Sequence, residues 1–320
     1  MEIRRRDSLR MPQWALLLIL PPLAVFIAGD LLQEWIGWDR QLPVGRNGLA
    51  ADWVRAEAAG RLTMMAAFLA AVAVGLSALF ICTSDLLRLF GSAARRQFLL
   101  AAAAAVVLLI AWVGATSLFL PDIIDYPGRG FIAATLERAE TDLSHRLTIV
   151  NMIVRIVFVL AGVGVIVGTI SCLAEPVRTR PPWARRALRR LQRRRLQRYL
   201  NLAAAVMSTG LLFMVAWMRW PSFAYAGEAH DAYVAHVNAL ALYFGVYYSA
   251  VIASYYVPVA AIMQSRAATA LLGQDAPADG DGQAGRHPAE VVGKGLAILM
   301  PAIAGMAPSL IELLSSGAVG

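Results

Sequence analysis

The chain has 320 residues, of which 59% are hydrophobic, and its mean hydropathy is +0.60. Soluble globular proteins contain roughly 45–50% apolar residues, so this composition excludes an ordinary soluble domain and indicates an integral membrane protein. The formal net charge is +8, and Lys294 is the one lysine among 29 basic residues. Together with the many alanines, this preference for arginine is typical of a GC-rich bacterial gene.

Apolar runs of about 18 residues or more can cross a hydrocarbon core of roughly 30 Å. Six such runs predict an all-α, polytopic transmembrane helical bundle. The transmembrane domain covers 1–267, a flexible cytoplasmic linker covers 268–290, and an apolar C-terminal element covers 291–320. The six predicted spans lie near 13–32, 62–82, 98–119, 150–173, 200–219 and 238–263.

The first span follows the basic start MEIRRRDSLR, which resembles the beginning of a signal peptide. No convincing small-x-small cleavage site follows the apolar run, so we expect an uncleaved signal anchor. Pro21 and Pro22 lie in the middle of this span and lack backbone N–H donors, so they predict a kink.

The connection after the third span is about thirty residues long, which is long for a loop in a bundle. Within it, Phe131 to Arg146 reads as a helix with one apolar side and a charged face, continuing into the fourth span. Arg155 then lies in the apolar stretch from Leu147 to Leu173. A span of about 20 residues ending at Leu173 puts Arg155 at the outer headgroups.

The alternative for Arg155 is burial in the membrane, where a charge needs a partner. Asp30 and Glu34, at the outer end of the first span, are the candidates. Further along the fourth span, Gly162, Gly164 and Gly168 predict a face for close helix packing. That face suits either a helix of the same chain or a homo-oligomer formed through Gly164 and Gly168.

Ten arginines and no acid or lysine lie between Val177 and Arg198. Such a block marks the cytoplasmic side of a membrane. With this segment in the cytoplasm, the inner segments carry twenty cations and the outer loops seven. The count predicts a bacterial inner-membrane protein with both termini in the cytoplasm.

From Trp183 onward, the arginine segment predicts a basic amphipathic helix at the inner leaflet, with Ala187, Leu188 and Leu191 on its apolar stripe. Anionic lipid headgroups are its expected partner, and an acidic cytoplasmic protein is the alternative. No recognised nucleic-acid motif accompanies the charge, so nucleic acid is not expected. The candidate contact residues are Arg185, Arg186, Arg189, Arg190, Arg193 and Arg194.

The sixth span carries an unusual set of tyrosines. At 100° per residue, four of them share one helical face, which we expect to point into the bundle. The hydroxyl groups either line a polar cavity or bond to neighbouring helices. These four residues are Tyr243, Tyr247, Tyr248 and Tyr255.

The tail ends in an apolar segment from Leu296 to Leu314, interrupted by Pro301, Gly305 and Pro308. Because proline removes helical hydrogen bonds, we expect a broken helix that lies on the inner interface or against the bundle, with a re-entrant or spanning segment as the alternative.

Catalytic and metal sites find little support. Cys82 and Cys172 are too few for a thiolate site, and the four histidines lack the short spacing of a zinc-binding helix. His230 with Asp231 and His236 is the nearest approach to an acid/base or metal site on the outer side. We therefore expect no catalytic residue, no metal and no cofactor.

The sequence predicts a non-enzymatic scaffold or accessory subunit of the membrane, with the basic helix at the inner leaflet. The alternative function is a small transporter or channel that uses the tyrosine face of the sixth span.

Overall fold

The structure, a computed structural model, describes residues 9–36, 48–89, 92–119, 143–176, 182–272 and 288–317. These residues form seven α-helices, and the all-α prediction is confirmed. A 3-10 helix, Gln13–Ile19, precedes the first helix, and another, Trp220–Ala224, follows the fifth. The helices are α1 Leu20–Ile36, α2 Trp53–Leu89, α3 Ser92–Phe119, α4 Leu143–Ser171, α5 Pro182–Arg219, α6 Gly227–Leu272 and α7 Pro288–Gly317.

Four segments of the described chain are long and apolar enough to cross a membrane, and they belong to α2, α4, α5 and α6. Two shorter apolar helices, Gln13–Gly29 and Val292–Met306, accompany them. The count of six spans stays a prediction. The four long segments are Trp53–Arg88, His145–Ser171, Ala187–Ala224 and Gly227–Arg266.

The outer surface of the bundle supports a membrane environment. Leu62 and Phe80, on α2, are 73% and 74% exposed, and Leu69 and Leu76 between them are exposed as well. Soluble monomers rarely expose continuous apolar patches of this kind. In a bilayer the same side chains face lipid, so their exposure carries no free-energy penalty from contact with water.

The first predicted span changes helix type next to its two prolines, and the kink expected there stays a prediction. It begins as the 3-10 helix and becomes the α-helix α1 at Leu20. Pro21 and Pro22 therefore lie in the first turn of α1, a position that proline tolerates, and the 3-10 hydrogen bonds end at the N–H of Leu20, which donates to the carbonyl oxygen of Leu17. The missing donors of these two prolines cost little there.

We name the two ends of the bundle by their residues: the arginine end carries the arginine-rich start of α5, and the tryptophan end carries Trp220. At the arginine end, β1 (Leu9–Arg10) pairs antiparallel with β2 (Glu175–Pro176), close to the start of α5. At the tryptophan end, the turn that begins at Trp220 packs on the start of α2, and the N–H of Ala50 donates to the carbonyl oxygen of Ala224 at 3.0 Å.

The C-terminal element differs from its prediction, because α7 is one continuous helix through Pro301 and Pro308. Pro301 has no N–H group and cannot donate the intrahelical hydrogen bond at its position, and the residue that follows it bonds to a neighbouring helix. The N–H of Ala302 donates to Oγ of Ser249 at 3.2 Å, and that hydroxyl donates to the carbonyl oxygen of Gly245 at 2.9 Å. Serine side chains on adjacent helices let proline persist inside membrane helices in this way.

The position of α7 agrees with the expected placement against the bundle, since the helix lies along α6. Gly245 faces Pro301 and Ala302, whereas Gly305 faces Ala241. The numbering falls on α6 as it rises on α7, so the two helices are antiparallel and α7 runs towards the tryptophan end.

Two other sequence predictions fall partly on undescribed residues. The helix predicted over Phe131 to Arg146 lies outside the described chain up to residue 142, and α4 begins at Leu143. The linker predicted over 268–290 is shorter at both ends, because α6 continues to Leu272 and α7 begins at Pro288. Residues 273–287 lie outside the described chain.

Candidate functional site

From Pro182 onward, the arginine segment and the predicted fifth span form one unbroken helix, α5. Arg190, Arg193 and Arg194 are exposed, and Arg189 is half-buried. The side chains of Arg185 and Arg186 lie outside the described residues. On the predicted apolar stripe, Leu191 is 45% exposed. The guanidinium groups thus stand on an extension of a membrane-type helix.

Three hydrogen bonds fix this extension to the bundle. Nε2 of Gln192 donates to the carbonyl oxygen of Ala174 at 2.7 Å. Asp85, near the end of α2, accepts from the hydroxyl of Tyr199 at 3.1 Å and from Nη1 of Arg198 at 3.4 Å. The height of the arginines relative to the bundle is therefore set by α2 and by the chain after α4.

Arg266 closes the arginine end by joining three segments. Its Nη1 donates to the carbonyl oxygen of Leu173 at 2.9 Å, and its Nη2 lies 2.7 Å from Oε1 of Glu175. The guanidinium carbon lies 5.7 Å from the centre of the Trp14 ring, a distance that allows a cation–π contact. Arg266 is one of the twenty cations counted in the predicted inner segments, and no local sequence pattern indicates these partners.

Two tyrosines of the predicted face of α6 bond to the backbone of α1. The hydroxyl of Tyr243 donates to the carbonyl oxygen of Gly29 at 2.7 Å, and that of Tyr247 donates to the carbonyl oxygen of Phe26 at 2.8 Å. Gly29 makes this approach possible, since a Cβ atom there would overlap the Tyr247 ring. These two hydroxyls tie α6 to α1.

A cavity of about 350 Å³ lies beside this contact, between α1, α3, α4, α5 and α6. Of the four tyrosines predicted to line a cavity, Tyr247 and Tyr248 line it, whereas Tyr243 and Tyr255 are not among its lining residues. Tyr255 is fully buried in the core. The walls are mostly apolar and include Phe26, Phe158, Met207, Met214, Trp217 and Phe244.

Two polar side chains of α4, Asn151 and Arg155, also line this cavity. Arg155 is exposed rather than buried. The side chains of Asp30 and Glu34, its candidate partners in the sequence, lie outside the described residues. Arg155 thus joins the cavity rather than the hydrophobic core.

A buried ion pair at the tryptophan end was missed by sequence reasoning. The carboxylate of Glu57 is 0% exposed; its Oε1 lies 2.8 Å from Nε of Arg61 and accepts from Nε1 of Trp220 at 2.6 Å. The spacing of Glu57 and Arg61, four residues apart at the head of an apolar helix, was the available signal. Trp220 is 163 residues away in the chain, so its part had none.

Tyr225 belongs to the same hydrophobic cluster as Trp220. Its ring stacks on Tyr233, with 5.9 Å between ring centres, and burial raises the pKa of the Tyr225 phenol to about 12.

The glycines of α4 pack against helices of the same chain. A Cβ atom on Gly168 would lie 2.7 Å from the Tyr199 ring of α5, and one on Gly164 would lie 3.5 Å from Cβ of Cys82 on α2. The alternative of close packing within the chain is the one seen here, and a homo-oligomer through Gly164 and Gly168 stays a prediction.

The histidine region forms no described metal cluster. Nδ1 of His230 lies 3.2 Å from Oδ1 of Asp231, the next residue in the chain. Within the described ranges, no three His, Cys, Asp or Glu side chains come together in a way that could hold a metal ion. Cys82 and Cys172 are buried thiols.

The fold and these sites together define the class, a helical bundle whose long helices suit a membrane. No protein-family model matches the sequence, and no curated protein or solved structure shows significant similarity to it.

Proposed function

We propose that the chain is a multi-pass protein of a bacterial inner membrane that acts as a non-enzymatic scaffold or accessory subunit. In this proposal the arginine end lies in the cytoplasm, where anionic headgroups attract the basic part of α5. The carrying observation is the unbroken helix Pro182–Arg219, held to the bundle through Gln192, Arg198 and Tyr199. A fixed helix keeps its charges at a constant height above the bilayer.

The unbroken continuation of α5 suggests contacts at two heights above the bundle. Arg193 and Arg194 lie within a turn or two of Tyr199, where the helix enters the bundle, and this position suits headgroup binding. Arg185 and Arg186 precede Arg193 by about two turns, or roughly 12 Å along the axis. Their position suits an acidic cytoplasmic partner beyond the headgroups.

The proposal includes α7 as a further membrane crossing. Its 30 residues give a length of about 45 Å, more than a bilayer core of roughly 30 Å. Support comes from its antiparallel contact with α6 at Gly245 and Gly305. A crossing by α7 moves the C-terminus from the expected cytoplasmic side to the outer side.

The lipid contact is tested with the double variant Arg190→Gln/Arg193→Gln in neutral detergent. We expect added phosphatidylglycerol, but not phosphatidylcholine, to raise the thermal midpoint of the unmodified chain, because ligands that bind the native state stabilise it. The double variant should lose most of this increase, since each cation near an anionic surface contributes about 1 kcal/mol.

The control for this test is Arg55→Gln/Arg146→Gln, which removes two exposed arginines outside the basic part of α5. It should keep the stabilisation by phosphatidylglycerol. Equal losses in the two double variants, or equal stabilisation by both lipids, would contradict the proposed role of the basic helix.

A second candidate function is transport or binding through the cavity. The hydroxyls of Tyr243 and Tyr247 are engaged by α1, and the cavity wall is mostly apolar. This arrangement favours an apolar or amphiphilic molecule over a small polar solute as the occupant.

A further inference from the structure

The cavity beside Tyr247 is elongated along the helix axes. On α4 its lining runs from Asn151 to Val167, which corresponds to about 24 Å at 1.5 Å per residue. On α5 it runs from Met207 to Met218. A slot of this length and a volume of about 350 Å³ is long and narrow, at the lower end of ligand-pocket volumes.

The guanidinium and amide groups of the slot lie towards one end, and the Tyr248 ring lies further along, beside Phe158. Asn151 and Arg155 are four residues apart on α4 and so lie on one helical face. Phe158 packs opposite Gly210, and Met207 reaches towards Gly162, which shows that α4 and α5 are antiparallel along the slot. Asn151 and Arg155 are therefore level with the Met218 end of α5, and Val167 lies at the other end.

The two polar side chains favour an anionic group. A guanidinium ion presents a planar fork of donors that fits carboxylate or phosphate oxygens, and the amide of Asn151 carries two further donors. The hydroxyl of Tyr247 is donated to Phe26, so it adds no strong polarity to the middle of the slot. Towards Val167 the lining becomes apolar.

We propose that this cavity binds a single-chain amphiphile with an anionic head. The head lies against Arg155 and Asn151, and the chain extends along the apolar wall past Phe158 towards Val167. The narrow volume suits one acyl chain rather than the two chains of a bilayer phospholipid. The inference is independent of the proposed role of the basic helix.

The test measures binding of tritiated oleate to the purified full chain in neutral detergent. Saturable binding near one oleate per chain is expected. Unlabelled lysophosphatidate should compete, because it also joins one chain to an anionic head, and the better competitor of the two identifies the carboxylate or the phosphate as the preferred source. Oleyl alcohol should compete at least tenfold more weakly; equal competition by the alcohol would overturn the anionic head.

Two variants locate the site. Arg155→Gln should weaken oleate binding at least tenfold and leave oleyl alcohol unchanged, while Arg146→Gln, an exposed arginine of the same helix outside the cavity, should leave both unchanged. Gly162→Leu should weaken both ligands, because its Cβ meets only the Met207 methyl group, at 4.0 Å, and the added side chain enters the slot.

Unchanged oleate affinity in Gly162→Leu would overturn the cavity as the site, and unchanged affinity in Arg155→Gln would overturn the head contact. If Arg155→Gln does not fold, the competition series and Gly162→Leu still decide. The double variant Arg190→Gln/Arg193→Gln should bind oleate normally, which separates this site from the basic helix.

Discussion

Gly245→Leu is expected to lower the thermal unfolding midpoint of the purified chain and to displace α7 from α6. A Cβ atom at this position would lie 2.7 Å from the carbonyl oxygen of Pro301 and 2.9 Å from Cα of Ala302. Both are backbone atoms, so the clash is relieved only by moving the whole helix. Overpacking of a well-packed interior costs typically 1–3 kcal/mol, and we expect at least the upper part of that range.

The displacement would also separate Ser249 from Ala302. The hydroxyl of Ser249 accepts from the N–H of Ala302, next to Pro301, so the displacement would remove this hydrogen bond between the two helices. Gly305→Leu should have a similar effect from the other side of the contact, because its Cβ would overlap the carbonyl oxygen of Ala241.

The matched control is Gly295→Leu on the same helix, where nothing lies within 4 Å of an added Cβ atom. Leucine has a higher helix propensity than glycine, by up to about 1 kcal/mol, so this variant should be neutral or stabilising. Equal midpoints for Gly245→Leu and Gly295→Leu would contradict the docking of α7 on α6.

Glu57→Ala is expected to destabilise the tryptophan end by about 3 kcal/mol. Breaking a buried ion pair costs roughly 3–5 kcal/mol when the remaining charge stays buried. Arg61 is 22% exposed and can turn partly towards water, which places the estimate at the lower limit. The indole N–H of Trp220 also loses its acceptor.

Two variants divide the effect of Glu57 between charge and hydrogen bond. Glu57→Gln keeps an oxygen acceptor for the indole and should cost less than Glu57→Ala. Trp220→Phe removes the indole N–H and keeps an aromatic ring in the cluster. Asp231→Asn serves as the control, since that carboxylate is 84% exposed and should change stability by no more than about 0.5 kcal/mol. The free energy of unfolding is measured chemically or thermally in detergent. Equal values for Glu57→Ala and Asp231→Asn would contradict a buried ion pair between Glu57 and Arg61.

Hydropathy located the apolar segments but could not locate the helix ends. α5 begins at Pro182, well before the predicted start of its span at 200, because arginine is a good helix former and needs no apolar partner. The prediction of a broken helix at the C-terminus was wrong because it considered only the local sequence. Pro301 predicts a break when α7 is considered alone, and the hydroxyl that bonds to the residue after it comes from Ser249, on another helix.

In the candidate sites, the sequence predicted local features, but it could not predict partners that are distant in the chain. Helical periodicity predicted an inward tyrosine face, and two of its hydroxyls bond to α1, but the partners Phe26 and Gly29 lie more than 200 residues away. Arg155 was noticed because charge is rare in apolar stretches. Its cavity is built by five helices, and no local sequence pattern records such a junction.

The most direct test of the account measures which side of the membrane the arginine end occupies. Cys82 and Cys172 are 1% and 2% exposed, so a single engineered cysteine can be labelled selectively. Arg190→Cys marks the arginine end and Arg55→Cys the tryptophan end, and both native side chains are exposed. The reagent is a membrane-impermeant maleimide, applied to spheroplasts and to inverted inner-membrane vesicles. We predict that Arg55→Cys reacts in spheroplasts and Arg190→Cys only in inverted vesicles. Labelling of Arg190→Cys in intact spheroplasts would contradict the proposed orientation.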